Sequence, residues 1–166
     1  MASGAFFDPL RFLRIAPLIT STGSLVYATS ELLHNSAFLQ PAIRKKSDTV
    51  LPGWYSFVFN RGVGIVLFFN LSTTSATIAN LWLGGRGSVT SLSSKLYWAG
   101  LAFAVGHLAF VPWVAAPVDA IVRGGSAEGA TSDMSRWLGV HKIRMAVADF
   151  PAWVSFLGAV MMSAPL

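Results

Sequence analysis

The chain has 166 residues, 54% of them hydrophobic and 11% charged, against about 25% charged in soluble domains. Twelve Lys and Arg against seven Asp and Glu give a formal charge of +5, but the basic residues are scattered and form no nucleic-acid footprint. The length allows a single domain over residues 1–166, and the lack of cysteine excludes disulfides, thiolate nucleophiles and zinc–thiolate sites together.

Residues 1–9, with Phe6-Phe7-Asp8, read as a cap or interfacial stub. Four apolar segments follow, at about 15–39, 57–83, 96–122 and 137–163. Each exceeds the ~20 residues that a helix needs to cross a hydrocarbon core. Between them lie breaks rich in charge, proline and glycine: residues 40–53, Gly84-Gly85-Arg86-Gly87, and residues 123–133. The reading is an all-α, integral membrane four-helix bundle, up and down. A soluble bundle needs a polar stripe on each helix, and the second and fourth segments are apolar all round. Arg11 and Arg14 before the first segment imitate a signal peptide, but the run is too long and carries Glu31 and His34. The Lys and Arg balance favours cytosolic first and third loops, with both termini lumenal. Trp54, Trp82, Trp98 and Trp137 near the segment ends suggest interfacial belts. Small residues (Gly62 and Gly64, Gly100 and Ala104, Ala148 and Ala152) would permit close helix contacts, a homo-oligomer included.

Ionisable groups inside a span are costly, so each needs a partner or a wet cavity. In an alternating bundle the end of the first span, the start of the second, the end of the third and the start of the fourth meet at one membrane face. Glu31, His34, Asn35, Asn60, Arg61, Asp119, His141, Arg144 and Asp149 therefore converge there, with His107 deeper, and the other half is nearly free of ionisable groups. A one-sided polar pocket over an apolar floor suits a small apolar or aromatic ligand with a few polar handles. Helical spacing puts Tyr27, Glu31, His34 and Asn35 on one face, and His141, Arg144 and Asp149 within a sector of about 140°. Gly64 would leave room for a ligand. Pro112 and Pro117 should kink the third span just beyond His107.

The bland alternative is a set of structural ion pairs, Glu31 with Arg61 and Asp149 or Asp119 with Arg144. Buried pairs add little net stability, so several at one end suggest a purpose beyond holding the fold. Glu31 beside His34 makes a base with an orienter. His34, His141, Glu31, Arg144 and Arg61 are the catalytic candidates; Tyr27, Asn35, Asn60, His107, Asp119 and Asp149 are the substrate-contact candidates. Glu31-Leu32-Leu33-His34 is a Glu-x-x-His step of the kind di-iron bundles use, but it occurs once in a chain with two Glu. The expected metal set is none, with a mononuclear site from His34, His107, His141 and Glu31 as the alternative. Gly84, Gly85 and Gly87 are turn residues, not a nucleotide cradle.

The stretch Trp137-Leu138-Gly139-Val140-His141-Lys142-Ile143-Arg144, the aromatic-Arg-Gly start of the second span (Trp54-Tyr55 through Asn60-Arg61-Gly62) and the Gln40-Pro41 after the first resemble the anthrone oxygenase-like family of small four-span membrane proteins. The match covers most of the chain as layout; His107 and Asp119 are not carried over. The resemblance implies tailoring of a polyketide-derived compound in the endoplasmic reticulum or another endomembrane, with dioxygen as co-substrate and no organic cofactor. In that chemistry a base (His34 or His141) removes an acidified carbon proton and Arg61 or Arg144 holds the oxyanion. A cofactor-free isomerase or cyclase would use the same parts, and a non-catalytic membrane subunit or carrier would use the charges only for binding.

Overall fold

The computed structural model describes residues 8–84 and 90–163. Most of the amino-terminal stub, with Phe6 and Phe7, and Gly85, Arg86 and Gly87 of the second break lie outside the described residues. Four antiparallel rods make up the rest, and no strand occurs among the described residues. Rod 1 is α1 (Pro9–Ala37) and rod 2 is α2 (Arg44–Gly84). Rod 3 runs through α3 (Ser91–Gly106), a 3-10 turn (His107–Phe110) and α4 (Val111–Arg123). Rod 4 runs through α5 (Ala130–Arg144), a π turn (Met145–Asp149) and α6 (Phe150–Met161). Rods 2, 3 and 4 are long and apolar enough to cross a membrane. Rod 1 is 29 residues long but carries Arg11, Arg14, Glu31 and His34.

Helices begin earlier than the hydropathy breaks suggest. Residues 44–53, expected in a break, form the first turns of α2, whose 41 residues reach about 60 Å, twice the thickness of a ~30 Å hydrocarbon core. Asp48 on those turns accepts from the backbone N–H of Thr131 at 2.8 Å, and Arg44 Nε donates to the Thr131 hydroxyl at 3.2 Å. Asp48 thus caps α5 from another rod, a favourable place for an anion. Gly129 precedes it at φ +92°, and a Cβ there would stand 2.8 Å from Asp48 Oδ1, so glycine is required on both counts.

Rods 1 and 2 pack along their length, as do rods 3 and 4, and contacts of rod 2 with rod 3 and rod 1 with rod 4 close the ring. Two buried clusters result. One holds Leu51, Tyr55, Val118, Ile121, Met134, Trp137 and Leu138; the other holds Tyr97, Ala104, Ala152, Phe156 and Ala159. Small residues serve contacts within the chain: a Cβ on Gly100 would come within 2.5 Å of the Phe156 ring, the close approach that glycine allows. Trp82 and Trp98 are exposed, as a belt requires, whereas Trp137 is buried and Trp54 half-buried in the interior.

The break in rod 3 falls at His107–Phe110, immediately before Pro112. Proline has no N–H for the carbonyl four residues back and its ring crowds that carbonyl, so the ladder tightens ahead of it. In rod 4 the ladder ahead of Pro151 widens instead, into a π turn in which the Phe150 N–H reaches back five residues to Met145 O.

Candidate functional site

Between the two clusters lies a cavity of about 590 Å³. Rod 1 contributes Tyr27, Ser30, Glu31, His34 and Asn35; rod 2 contributes a face from Trp54 to Leu67; His107, Leu108, Val111 and Val114 come from rod 3, and Trp137 and Arg144 from rod 4. The wall is mostly apolar with a few convergent polar groups, the usual composition of a small-molecule site.

A buried polar chain stands behind this wall. Residues five apart on a regular α-helix lie about 140° from one another; the i→i+5 closure of the π turn brings Arg144 and Asp149 together. Arg144 Nε donates to Asp149 Oδ2 at 3.3 Å, and the other oxygen, Oδ1, accepts from His107 Nδ1 at 2.6 Å. On the far side, His141 Nε2 donates to Ala28 O at 2.9 Å, which leaves its Nδ1 to accept from Arg144 Nη2 at 3.0 Å. The His141 ring stacks on Trp137 at 4.7 Å. Each bond fixes a tautomer or rotamer of the next group. The guanidinium is held by two partners through Nε and Nη2, Nη1 makes no bond among the described residues, and Arg144 is part of the cavity wall. Below the His107–Asp149 pair a polar space of about 20 Å³, bounded by Ser21, Ser24, Asn70 and Thr73, has room for one water molecule.

Seven expected residues share the cavity: Tyr27, Glu31, His34, Asn35, Asn60, His107 and Arg144. His34 is exposed at its margin, and its Nδ1 donates to Ser30 O at 2.8 Å, so Ser30 and not Glu31 orients the ring. Glu31 is half-buried and forms no ion pair among the described residues. The expected Glu31–Arg61 pair is not formed. Arg61 turns outward, donates to Phe57 O at 2.7 Å and covers the Phe57 ring at 4.0 Å, because Gly62 holds the inward position. Asp119 is also outside, paired with Arg123 at 2.6 Å on an exposed face, since Val118 and Ile121 take the inward positions of α4. His141 is fully buried behind the wall, with both ring nitrogens engaged. Asp149 lies at the level of His107, deeper than its place near the start of a hydropathy segment suggests, because rod 4 begins at Ala130. Among the described residues His34, His107, His141 and Glu31 do not gather into a set that could hold a metal ion.

Gly62, not Gly64, is the glycine at close approach. A Cβ there would lie 2.9 Å from the Tyr27 hydroxyl and 3.6 Å from Glu31 Oε1, while one on Gly64 meets nothing within 4 Å. Trp54, Tyr55 and Trp137 are lining residues that the sequence reading did not place in the site. The spacing of Trp137 and His141, one helical turn apart, was the signal available for the last of them.

The nearby half of the bundle is not a plain apolar floor. Arg14 is buried there, its Nη1 without a partner among the described residues, and Asn70, Thr73, Thr77, Asn80 and Ser93 are buried with it.

The chain is 30% identical over 153 residues to the epoxidase pydX of Acremonium sp, covering 92% of this chain and 94% of the relative. It is 28% identical over 153 residues to the epoxidase gkaX of Penicillium citrinum, with the same coverage. The oxaleimides biosynthesis cluster protein N of Penicillium oxalicum is 29% identical over 150 residues, covering 87% of this chain and 85% of that protein. No family model matches the chain. No solved structure matches it.

Proposed function

Because the chain belongs to the family of these fungal epoxidases, a family of tailoring, oxygenation-type enzymes of secondary metabolism, we propose that it is a membrane-embedded enzyme that oxygenates an apolar, polyketide-derived substrate in the 590 Å³ cavity. Its proposed site is the endoplasmic reticulum or another endomembrane.

The observation that carries this reading is Arg144 in the cavity wall, braced by Asp149 and His141 with one nitrogen left over. A fixed cation facing an apolar space stabilises an enolate oxygen there far better than water does, because its donors need no reorganisation. Glu31, which makes no ion pair among the described residues, is the base that takes the proton from an acidified substrate carbon, and Tyr27 and Asn35 steady the polar end of the substrate. His34, whose Nε2 makes no bond among the described residues, is the second base at the margin. His141 is a positioning residue for Arg144.

The carbanion so formed reduces dioxygen and combines with it to give a substrate peroxide, which is then protonated. Loss of water from that hydroperoxide gives a ketone, the outcome that the anthrone oxygenase-like resemblance implies. Transfer of one of its oxygens to a neighbouring C=C gives an epoxide and leaves an alcohol, the outcome that the relatives' names suggest. The four electrons that dioxygen takes all come from the substrate, from two C–H bonds when a ketone forms and from one C–H bond and the C=C when an epoxide forms, so in this reading no organic cofactor takes part. The dry cavity protects the carbanion from simple reprotonation.

The test is conversion in microsomes carrying the protein, under labelled dioxygen and under nitrogen. Label in the product and no conversion under nitrogen are expected. Undiminished conversion under nitrogen without label would replace oxygenation by proton-transfer isomerisation or cyclisation. No conversion by purified, reconstituted protein offered its substrate would leave a carrier or non-catalytic subunit.

A further inference from the structure

The cavity wall is closed unevenly along the seam between rods 2 and 3. On one side the seam is locked, because the Asn70 amide donates to Ala104 O at 2.8 Å and sits buried there. Less than one turn later rod 3 leaves the α-helical ladder at His107–Phe110, and Pro112 follows. Beyond this point Val63 and Leu67 of rod 2 and Leu108 and Val111 of rod 3 all line the cavity. The same four side chains are 37%, 43%, 40% and 53% exposed, whereas Tyr55, His107 and Trp137 of the same wall are buried. A wall residue that stays this open while its neighbours in the wall are buried stands where the cavity opens. The surface around the mouth is apolar, with Phe68 and Trp113 each 63% exposed, and both rods are among those able to cross a membrane.

The geometry points to a lateral portal between rods 2 and 3 that joins the cavity to the hydrocarbon phase of the bilayer, so that the ligand taken is a lipid-partitioned, largely apolar molecule arriving sideways. Such a molecule is already concentrated among acyl chains by its own apolar surface, and dioxygen also favours that phase over water. An apolar rim imposes no desolvation on either, whereas an aqueous route would oblige the substrate to leave the membrane first. The prolines of rod 3 acquire a role here: the break before Pro112 falls at His107, which shares the cavity wall with Arg144 and Glu31. The inference rests on the proposed oxygenation only for what travels; the portal itself rests on the wall.

The chain has no cysteine, so one introduced thiol reports alone. Val66 lines the cavity behind the mouth and is half-buried. A Val66→Cys variant carrying a nitroxide, reconstituted in phosphatidylcholine vesicles, should collide several-fold more with dioxygen than with a water-soluble nickel chelate. Adding Leu108→Trp should lower the dioxygen collision rate at least two-fold, while Phe68→Trp, beside the mouth, leaves it unchanged; unchanged helix content by circular dichroism verifies the fold of each. Predominant access by the nickel chelate, through the polar margin at His34 and Asn60, would overturn the portal, as would a Leu108→Trp variant with unaltered access. Neither readout involves turnover, so failure of the labelled-dioxygen experiment leaves the portal standing, and the reverse holds too.

Discussion

The cavity half of the bundle and the half that packs around Phe156 both bury polar side chains, but they satisfy them differently. Around Phe156 the groups are neutral. Thr77 donates to Thr73 O, Asn80 to Ala76 O and Leu13 O, Ser93 to Ala159 O and Tyr97 to Arg14 O. Hydroxyls and amides bonded to helix carbonyls need no space of their own, and the rods approach until Gly100 touches the Phe156 ring. In the cavity half, Arg144, Asp149, His107 and His141 are charged or doubly functional, and they are completed mainly by side chains of other turns and rods. Backbone carbonyls have no donor for a carboxylate, so Asp149 draws in Arg144 and His107 from other turns and rods, and this half keeps an open volume with Glu31 and Arg144 in its wall. Neutral polar groups here make a sealed core, and ionisable groups make a chamber. Arg14 is the exception, a buried cation in the sealed half with one nitrogen unpartnered among the described residues.

Breaking the chamber chemically without disturbing the core should give the largest effect. Glu31→Gln keeps shape but removes the proposed base, and turnover should fall by about 10²–10⁴-fold, measured as kcat in reconstituted vesicles, with thermal unfolding in detergent unchanged. A fall of less than ten-fold would move the base to His34, and His34→Ala would then show the loss. Next comes the sealed core. Phe156 is fully buried against Gly100, and Phe156→Ala should cost about 3–5 kcal/mol of stability by unfolding in detergent, while kcat of the folded fraction stays within about two-fold. If kcat fell with stability, the two halves would act as one unit.

The sequence revealed the two halves unequally. Four rods, their antiparallel order and the polar face of Tyr27, Glu31, His34 and Asn35 follow from hydropathy and from 3.6-residue spacing, both local properties of the chain. Ion-pair partners did not follow. Spacing alone makes Arg61 as eligible as Arg144, and only packing shows that Gly62 faces inward and carries Arg61 outward. Asp149 paired with Arg144 as one of the two expected choices, but through a π turn induced ahead of Pro151, which no periodicity announces. Trp137 read as a belt residue because aromatic residues near segment ends usually are; its burial against His141 depends on α5 starting at Ala130, seven residues before the apolar segment. The neutral polar groups of the sealed half were passed over because threonine, serine and asparagine hardly change a hydropathy average.

A smaller change sharpens the boundary of the chamber. Gly62→Ala places a methyl group 2.9 Å from the Tyr27 hydroxyl, so the ring must shift toward the cavity. Small overpacking of this kind costs about 1–3 kcal/mol, and here the cost should be felt in ligand binding: KM several-fold higher, kcat within about two-fold. Gly64→Ala, with nothing within 4 Å of the new Cβ, is the matched control and should change neither.

The smallest effect should come from the charges that the bundle leaves outside. Asp119 and Arg123 are 59% and 77% exposed at the side chain and pair one helical turn apart; pairs of this kind are worth about 0–1 kcal/mol. Asp119→Asn should therefore shift unfolding by under about 0.5 kcal/mol and leave turnover unchanged. Arg61→Gln should do the same, because its guanidinium is spent on Phe57, a residue on the outer face of rod 2. The two substitutions separate charge near the site from charge in it. If Arg61→Gln lowered turnover as much as Arg144→Gln, the oxyanion would be held from the rod 2 side, and the cation braced by Asp149 and His141 would be a strut between rods, not the group that faces substrate.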